Sequence, residues 1–132
     1  MKKRRIIYVD ASTVDGESKI SLYDTENNLT NILQLIDISN NNIAETYAVL
    51  YAILYVVKND YSHCHILSDN LPSTQNKKIT ELAKQKGVSL SWIPREINVV
   101  ADKITKLEPT VKQKEWHILN LFYEMLFINT KN

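Results

Sequence analysis

The sequence predicts an α/β fold: a five-stranded mixed sheet, three antiparallel strands and then parallel ones, flanked by helices. Three observations predict it. Ile6-Ile7-Tyr8-Val9 is an apolar run, mostly β-branched or aromatic, of the kind a central strand needs. Turn signals at Asp15-Gly16 and at Asp24 to Asn28 divide the first third of the chain into short strands. Beyond residue 42, stretches of helical spacing alternate with short β-rich runs.

The first strand covers Ile6 to Ser12 and ends in a carboxylate, Asp10. A charge on a strand that is apolar on both faces is costly unless something pairs with it, and a cation is the natural partner. Asp15-Gly16 fits a type I′ hairpin, Lys19 to Tyr23 alternates as a second strand, and Leu29 to Ile38 reads as a third. Asn40-Asn41-Asn42 then offers an N-cap to a helix from about Ile43 to Lys58, apolar on nearly all sides. His63 to Asn70 is a short strand that ends, like the first, in a carboxylate, Asp69, and Pro72 to Lys86 reads as one helix stopped by Gly87. Val88 to Ile93 is a fifth strand closed by Pro94. Asn98 offers a cap to a helix over Val99 to Leu107, and Lys114 to Ile128 forms a last helix, rich in Trp116, Leu119, Phe122, Met125 and Phe127. Residues 1–107 form the main domain in this reading. Residues 108–132 add a C-terminal helix that packs on it or joins copies of the chain in a homo-oligomer.

Composition narrows the function classes. A chain of 132 residues buries a core without staples, and Cys64, its single cysteine, excludes an internal disulfide and suits a reducing cytoplasm. The basic start, Met1 to Arg5, leads into no signal-peptide apolar region, and no run reaches membrane-spanning length, so no membrane partner is expected. Net charge is +1, so nucleic-acid binding must rest on local clusters: Lys2 to Arg5, Lys77, Lys78, Lys84 and Lys86, and Lys103, Lys106, Lys112 and Lys114. Each cluster alone is an ordinary solvated face. His63-Cys64-His65 does not make a zinc site, because strand alternation turns Cys64 away from both histidines.

Four acids sit at element boundaries: Asp10, Glu45, Asp69 and Asp102. Each has a structural explanation of its own. Glu45 stands at capping-box spacing from Asn42, and Asp102 complements the dipole of its helix. One shared cause accounts for all four more simply. The blocks Tyr8-Val9-Asp10-Ala11-Ser12, Asn41-Asn42-Ile43-Ala44-Glu45, Ser68-Asp69-Asn70 and Trp92 to Asp102 together resemble the type 1 ribonucleases H, in order, over residues 6 to about 107.

The resemblance implies a ribonuclease H-like fold and a catalytic, metal-ligating set of Asp10, Glu45, Asp69 and Asp102. It implies two Mg²⁺ (or Mn²⁺) ions per site, hydrolysing the RNA strand of an RNA–DNA hybrid. Ser12, Asn41, Asn42 and Asn70 are the substrate-binding candidates, turn and cap chemistry being their structural alternative. The chain also departs from the family. The glycines that usually follow the first acid are missing apart from Gly16, the region between Asp69 and Ile79 is short, a basic handle is absent, and no histidine lies between Pro94 and Asp102. His117 falls outside the matching blocks. Two rival readings follow: a nuclease of the same fold on another nucleic acid, and a catalytically weak or inactive module that binds nucleic acid or protein.

Overall fold

The computed structural model describes residues 4–105 and 107–128; Lys2, Lys3 and Lys106 of the basic clusters lie outside them. The elements, in order, are β1 (Arg5–Val14), β2 (Glu17–Asp24), β3 (Leu29–Gln34), α1 (Asn41–Lys58), β4 (Cys64–Ser68), α2 (Leu71–Gln75), α3 (Lys77–Gln85), β5 (Val88–Trp92), α4 (Val99–Ile104) and α5 (Lys114–Phe127). They form one sheet of order β3-β2-β1-β4-β5, with β1–β2 and β2–β3 antiparallel and β1–β4 and β4–β5 parallel. The five-stranded mixed sheet expected from the sequence is therefore present.

The turn chemistry explains the first hairpin. Asp15 and Gly16 both have positive φ, 53° and 78°, as a type I′ turn requires. Its tight closure extends the β1–β2 ladder to Val14 and Glu17, so β1 runs past Ser12 and Asp10 lies inside the strand, not at its end. β3 is shorter than expected. After Gln34 the chain leaves the ladder, Ser18 Oγ donates to the Ile38 carbonyl at 2.7 Å, and Leu35, Ile36 and Ile38 pack on the core. The helix expected over residues 72–86 is two helices. Asn76 adopts an extended conformation between them and accepts from Ile79 N, ending α2 and capping α3.

Alternation along β1, β2 and β4 turns Ile7, Val9, Ala11, Ile20, Leu22, Cys64 and Ile66 into the main core. α1 covers this face. Ile79 and Leu82 of α3, and Trp116 and Leu119 of α5, join the same core. Between α4 and α5 the chain passes the outer edge of β3, where Thr110 and Val111 donate backbone N–H groups to the Ile32 carbonyl at 2.9 and 3.1 Å. Thr110 Oγ1 accepts from Ile32 N at 2.9 Å. α5 then packs on α1, with the Tyr47 ring stacked on Tyr123 at 4.1 Å, and leaves Ile118, Leu121 and Met125 exposed. Among the described residues no helix is long and apolar enough to cross a membrane.

Candidate metal centre

β1 and β4 run side by side from Arg5–Cys64 to Tyr8–Leu67 and then part, because β4 ends at Ser68 while β1 continues with β2. Asp10 lies on β1 just past the parting, and Asp69 follows the last residue of β4. Asn98, buried at the start of α4, fills the gap. Its Nδ2 donates to the Val9 carbonyl at 2.8 Å and to Asp69 Oδ2 at 3.0 Å. The Val9 carbonyl thus receives from a side chain the bond that β4 no longer supplies. Asn98 caps no backbone group, contrary to its expected role, and α4 is a short helix that ends at Ile104.

Glu45 arrives from α1. The N-cap of α1 is Asn40, whose side chain accepts from Ile43 N at 3.0 Å. This shifts the cap two residues ahead of Asn42, places Glu45 beyond the first turn and removes the capping-box explanation for it. Glu45 is 1% exposed, and its Oε1 has no hydrogen-bond partner. Asp69 Oδ1 and Asn98 Oδ1 are likewise buried and unpartnered. One oxygen each from Asp10, Glu45 and Asp69 lies within 4.8 Å of the others.

Asp102 reaches this group from α4. Ser21 Oγ holds that helix on the sheet through the Ala101 carbonyl at 3.0 Å and Thr105 Oγ1 at 2.7 Å, and Ser21 is the cross-strand partner of Asp10. Asp102 lies close enough to the Asp10 carboxyl to raise its pKa. The structure thus brings Asp10, Glu45 and Asp69 into one cluster, with Asp102 beside Asp10.

The electrostatics follow from burial and like charge. Burial raises the Asp10 carboxyl from 3.8 to about 7, reinforced by Asp69 and, more weakly, by Asp102, against a lowering bond from the Ala11 amide. Burial likewise raises Glu45 from 4.5 to about 9, reinforced by Asp10 and Asp69 and opposed by Arg95. Buried oxygens without donors and carboxylates that repel one another are what a hard divalent cation relieves. The donor set, all oxygen, fits Mg²⁺ or Mn²⁺.

Ser12 lies two residues past Asp10 on the same face of β1, half-buried. Asn41 and Asn42 are exposed at the start of α1, Asn40 having taken the capping duty. Asn70 caps α2 through Ser73 N at 2.9 Å, and its Nδ2 donates to Asn42 Oδ1 at 3.1 Å, joining the starts of α1 and α2. Sequence reasoning missed Asn98 and Arg95. Both lie in the block Trp92 to Asp102, the only signal that could have drawn attention to them. His65 lies outside the site: its Nδ1 meets Arg4 at 3.2 Å and its Nε2 meets Ser91 Oγ at 2.7 Å, while Cys64 is buried on the core face.

No protein-family model matches the chain, and no match is found among the curated proteins. Solved structures do match. RNase H1 from the halophilic archaeon Halobacterium salinarum NRC-1 aligns with a TM-score of 0.61 at 15% identity, over 77% of this chain and 94% of its own. LC11-RNase H1, isolated from compost by a metagenomic approach, aligns at 0.60 and 20% identity, over 78% and 93%. The catalytic core domain of BIV integrase aligns at 0.53 and 17% identity, over 79% of this chain and 63% of its own. At such identities the likeness is one of architecture, and with the strand order and the two pairing senses it gives one conclusion: the chain has the ribonuclease H-like fold.

Proposed function

We propose that the chain is a divalent-metal-dependent endonuclease that hydrolyses the RNA strand of RNA–DNA hybrids in the cytoplasm. The observation that carries this reading is the cluster of Asp10, Glu45 and Asp69, with unpartnered buried oxygens on two of the three, where two parallel strands part. Open sheets place ligands at such partings.

Asp10, Glu45, Asp69 and Asp102 would hold the metal, Asp10 from the centre of the group. Two bound Mg²⁺ or Mn²⁺ ions supply a lowered pKa for an attacking water and charge stabilisation at the scissile phosphodiester. The chain's own residues do the positioning. Asn98 fixes one Asp69 oxygen and leaves the other buried without a hydrogen-bond partner. Arg95, exposed on the loop before α4 and close enough to act on Glu45, offers a guanidinium to a substrate phosphate. Exposed Asn41, and Asn42 tethered to Asn70, face the wide minor groove of the hybrid, where 2′-hydroxyls are displayed. Ser12 contacts the strand beside Asp10. In this reading residues 1–107 carry the nuclease and residues 108–132 are an addition, whose exposed Ile118, Leu121 and Met125 are the surface for a homo-oligomer.

The reading is tested with labelled RNA–DNA hybrid, double-stranded RNA and single-stranded RNA, each with Mg²⁺, Mn²⁺ or chelator. The expected result is cleavage of the RNA strand of the hybrid, stopped by chelator. Activity that survives chelation, or equal cleavage of single-stranded RNA, overturns it.

A further inference from the structure

The helices are shared unequally between the two faces of the sheet. α1, α3 and α5 contribute to the main core on one face. On the other, six-residue α4 packs on β1 and β2 beside Asp10. The strand registers set a row across the sheet next to Asp10, on that same face: Thr30, Tyr23, Tyr8, Leu67 and Ser91 are neighbours on successive strands. All five are half-buried, and none belongs to the main core. The following row holds Ile6, His65 and Ser89. Neither row contains a carboxylate.

Beyond His65 lies Arg4, exposed, with its guanidinium 3.2 Å from His65 Nδ1. Arginine only donates, so Nδ1 accepts and the ring hydrogen sits on Nε2, toward Ser91 Oγ at 2.7 Å. Burial and Arg4 both lower the pKa of His65, so the imidazole is neutral and the charge at this end is that of Arg4. At about 3.3 Å per strand residue, Arg4 lies about 20 Å from Asp10.

Two tyrosines and a leucine on an open sheet face, free of acids and bordered by an arginine, match the surfaces on which unpaired bases stack. Paired bases are already stacked on each other, so such a surface selects a single strand. We propose that this face binds an unpaired, single-stranded extension of the nucleic acid whose hybrid part occupies the carboxylate site. The link to a hybrid rests on the function proposed above; the single-strand surface does not.

Two measurements test it. The first is fluorescence anisotropy of a labelled single-stranded DNA of about ten nucleotides with the full chain in chelator. Wild type and Tyr8→Phe/Tyr23→Phe are expected to bind alike, and Tyr8→Leu/Tyr23→Leu at least about tenfold more weakly, since leucine offers no ring on which a base can stack. The second is hydrolysis of a hybrid that is blunt or carries a DNA extension of about five nucleotides. The extension should lower KM for wild type about tenfold, and the leucine pair should bring the two KM values together. If the hybrid is not hydrolysed, the proposed function fails while the first measurement still judges the surface. Should the leucine pair not fold, Arg4→Glu at an exposed position decides, with weaker single-strand binding expected. No single-strand binding by wild type, or binding unchanged in the leucine pair or in Arg4→Glu, overturns the proposal.

Discussion

Asp10 sits where three requirements meet: it must stay within a strand, avoid water and tolerate Asp69, Glu45 and Asp102 as neighbours. Two like charges about 4 Å apart repel by about 1 to 4 kcal/mol for effective dielectrics between water and 20. Asp10→Asn keeps the shape and removes one charge. In chelator at neutral pH the variant should melt above wild type, and millimolar Mg²⁺ should erase the advantage because the cation stabilises only the intact site. Hydrolysis should be nearly abolished. The pH dependence has a definite sign. The folded carboxyls at about 7 and about 9 keep protons that the unfolded chain has already released near 4, so stability falls as pH rises from about 4 to about 9. Asp10→Asn should flatten that fall, and Mg²⁺ should stabilise wild type more at pH 9 than at pH 6, since binding expels those protons. Melting curves of both proteins across this range, with chelator and with Mg²⁺, check every part. A lower melting temperature for Asp10→Asn in chelator at every pH would refute the metal-site assignment.

At the scale of elements, the three asparagines that open α1 have separable tasks. Asn40 accepts from Ile43 N, so Asn40→Ala should cost about 1 kcal/mol of stability. Asn41→Ala with Asn42→Ala should leave stability within about 0.5 kcal/mol and raise KM for the hybrid more than it lowers kcat. Urea denaturation beside steady-state kinetics separates them, and a reversed pattern would return Asn42 to capping. These helix starts also show what the sequence could reveal. The strands and α1 were legible because their apolar spacing and turn residues are local properties, as at Asp15-Gly16. The break at Asn76 was not, since an asparagine inside a helical pattern carries no mark that its side chain will cap the next segment. Nor was the role of Asn98, whose partners Val9 and Asp69 are 89 and 29 residues away in the chain. The acids themselves were legible because carboxylates in apolar surroundings are conspicuous. Arg95 was not, because an exposed arginine in a loop is unremarkable until the fold brings Glu45 near it.

The whole molecule is held together by more than the sheet. Trp116 is 4% exposed, its ring centroid 5.2 Å from that of Tyr47, whereas Met125 on the same helix is 59% exposed. Trp116→Ala should therefore cost about 3–5 kcal/mol in urea denaturation, and Met125→Ala about 0.5 kcal/mol or less. Equal effects would mean that α5 does not dock as described.

The passage between α4 and α5 matters for solubility as well as for shape. The outermost strand of a sheet, left bare, is a template on which a neighbouring molecule can add its own strand. Thr110 and Val111 occupy both backbone groups of Ile32 and so block that rim of β3 at its middle. The opposite edge is β5, a strand of five residues soon followed by Pro94. A short strand stopped by a proline is a poor seed for a fibril.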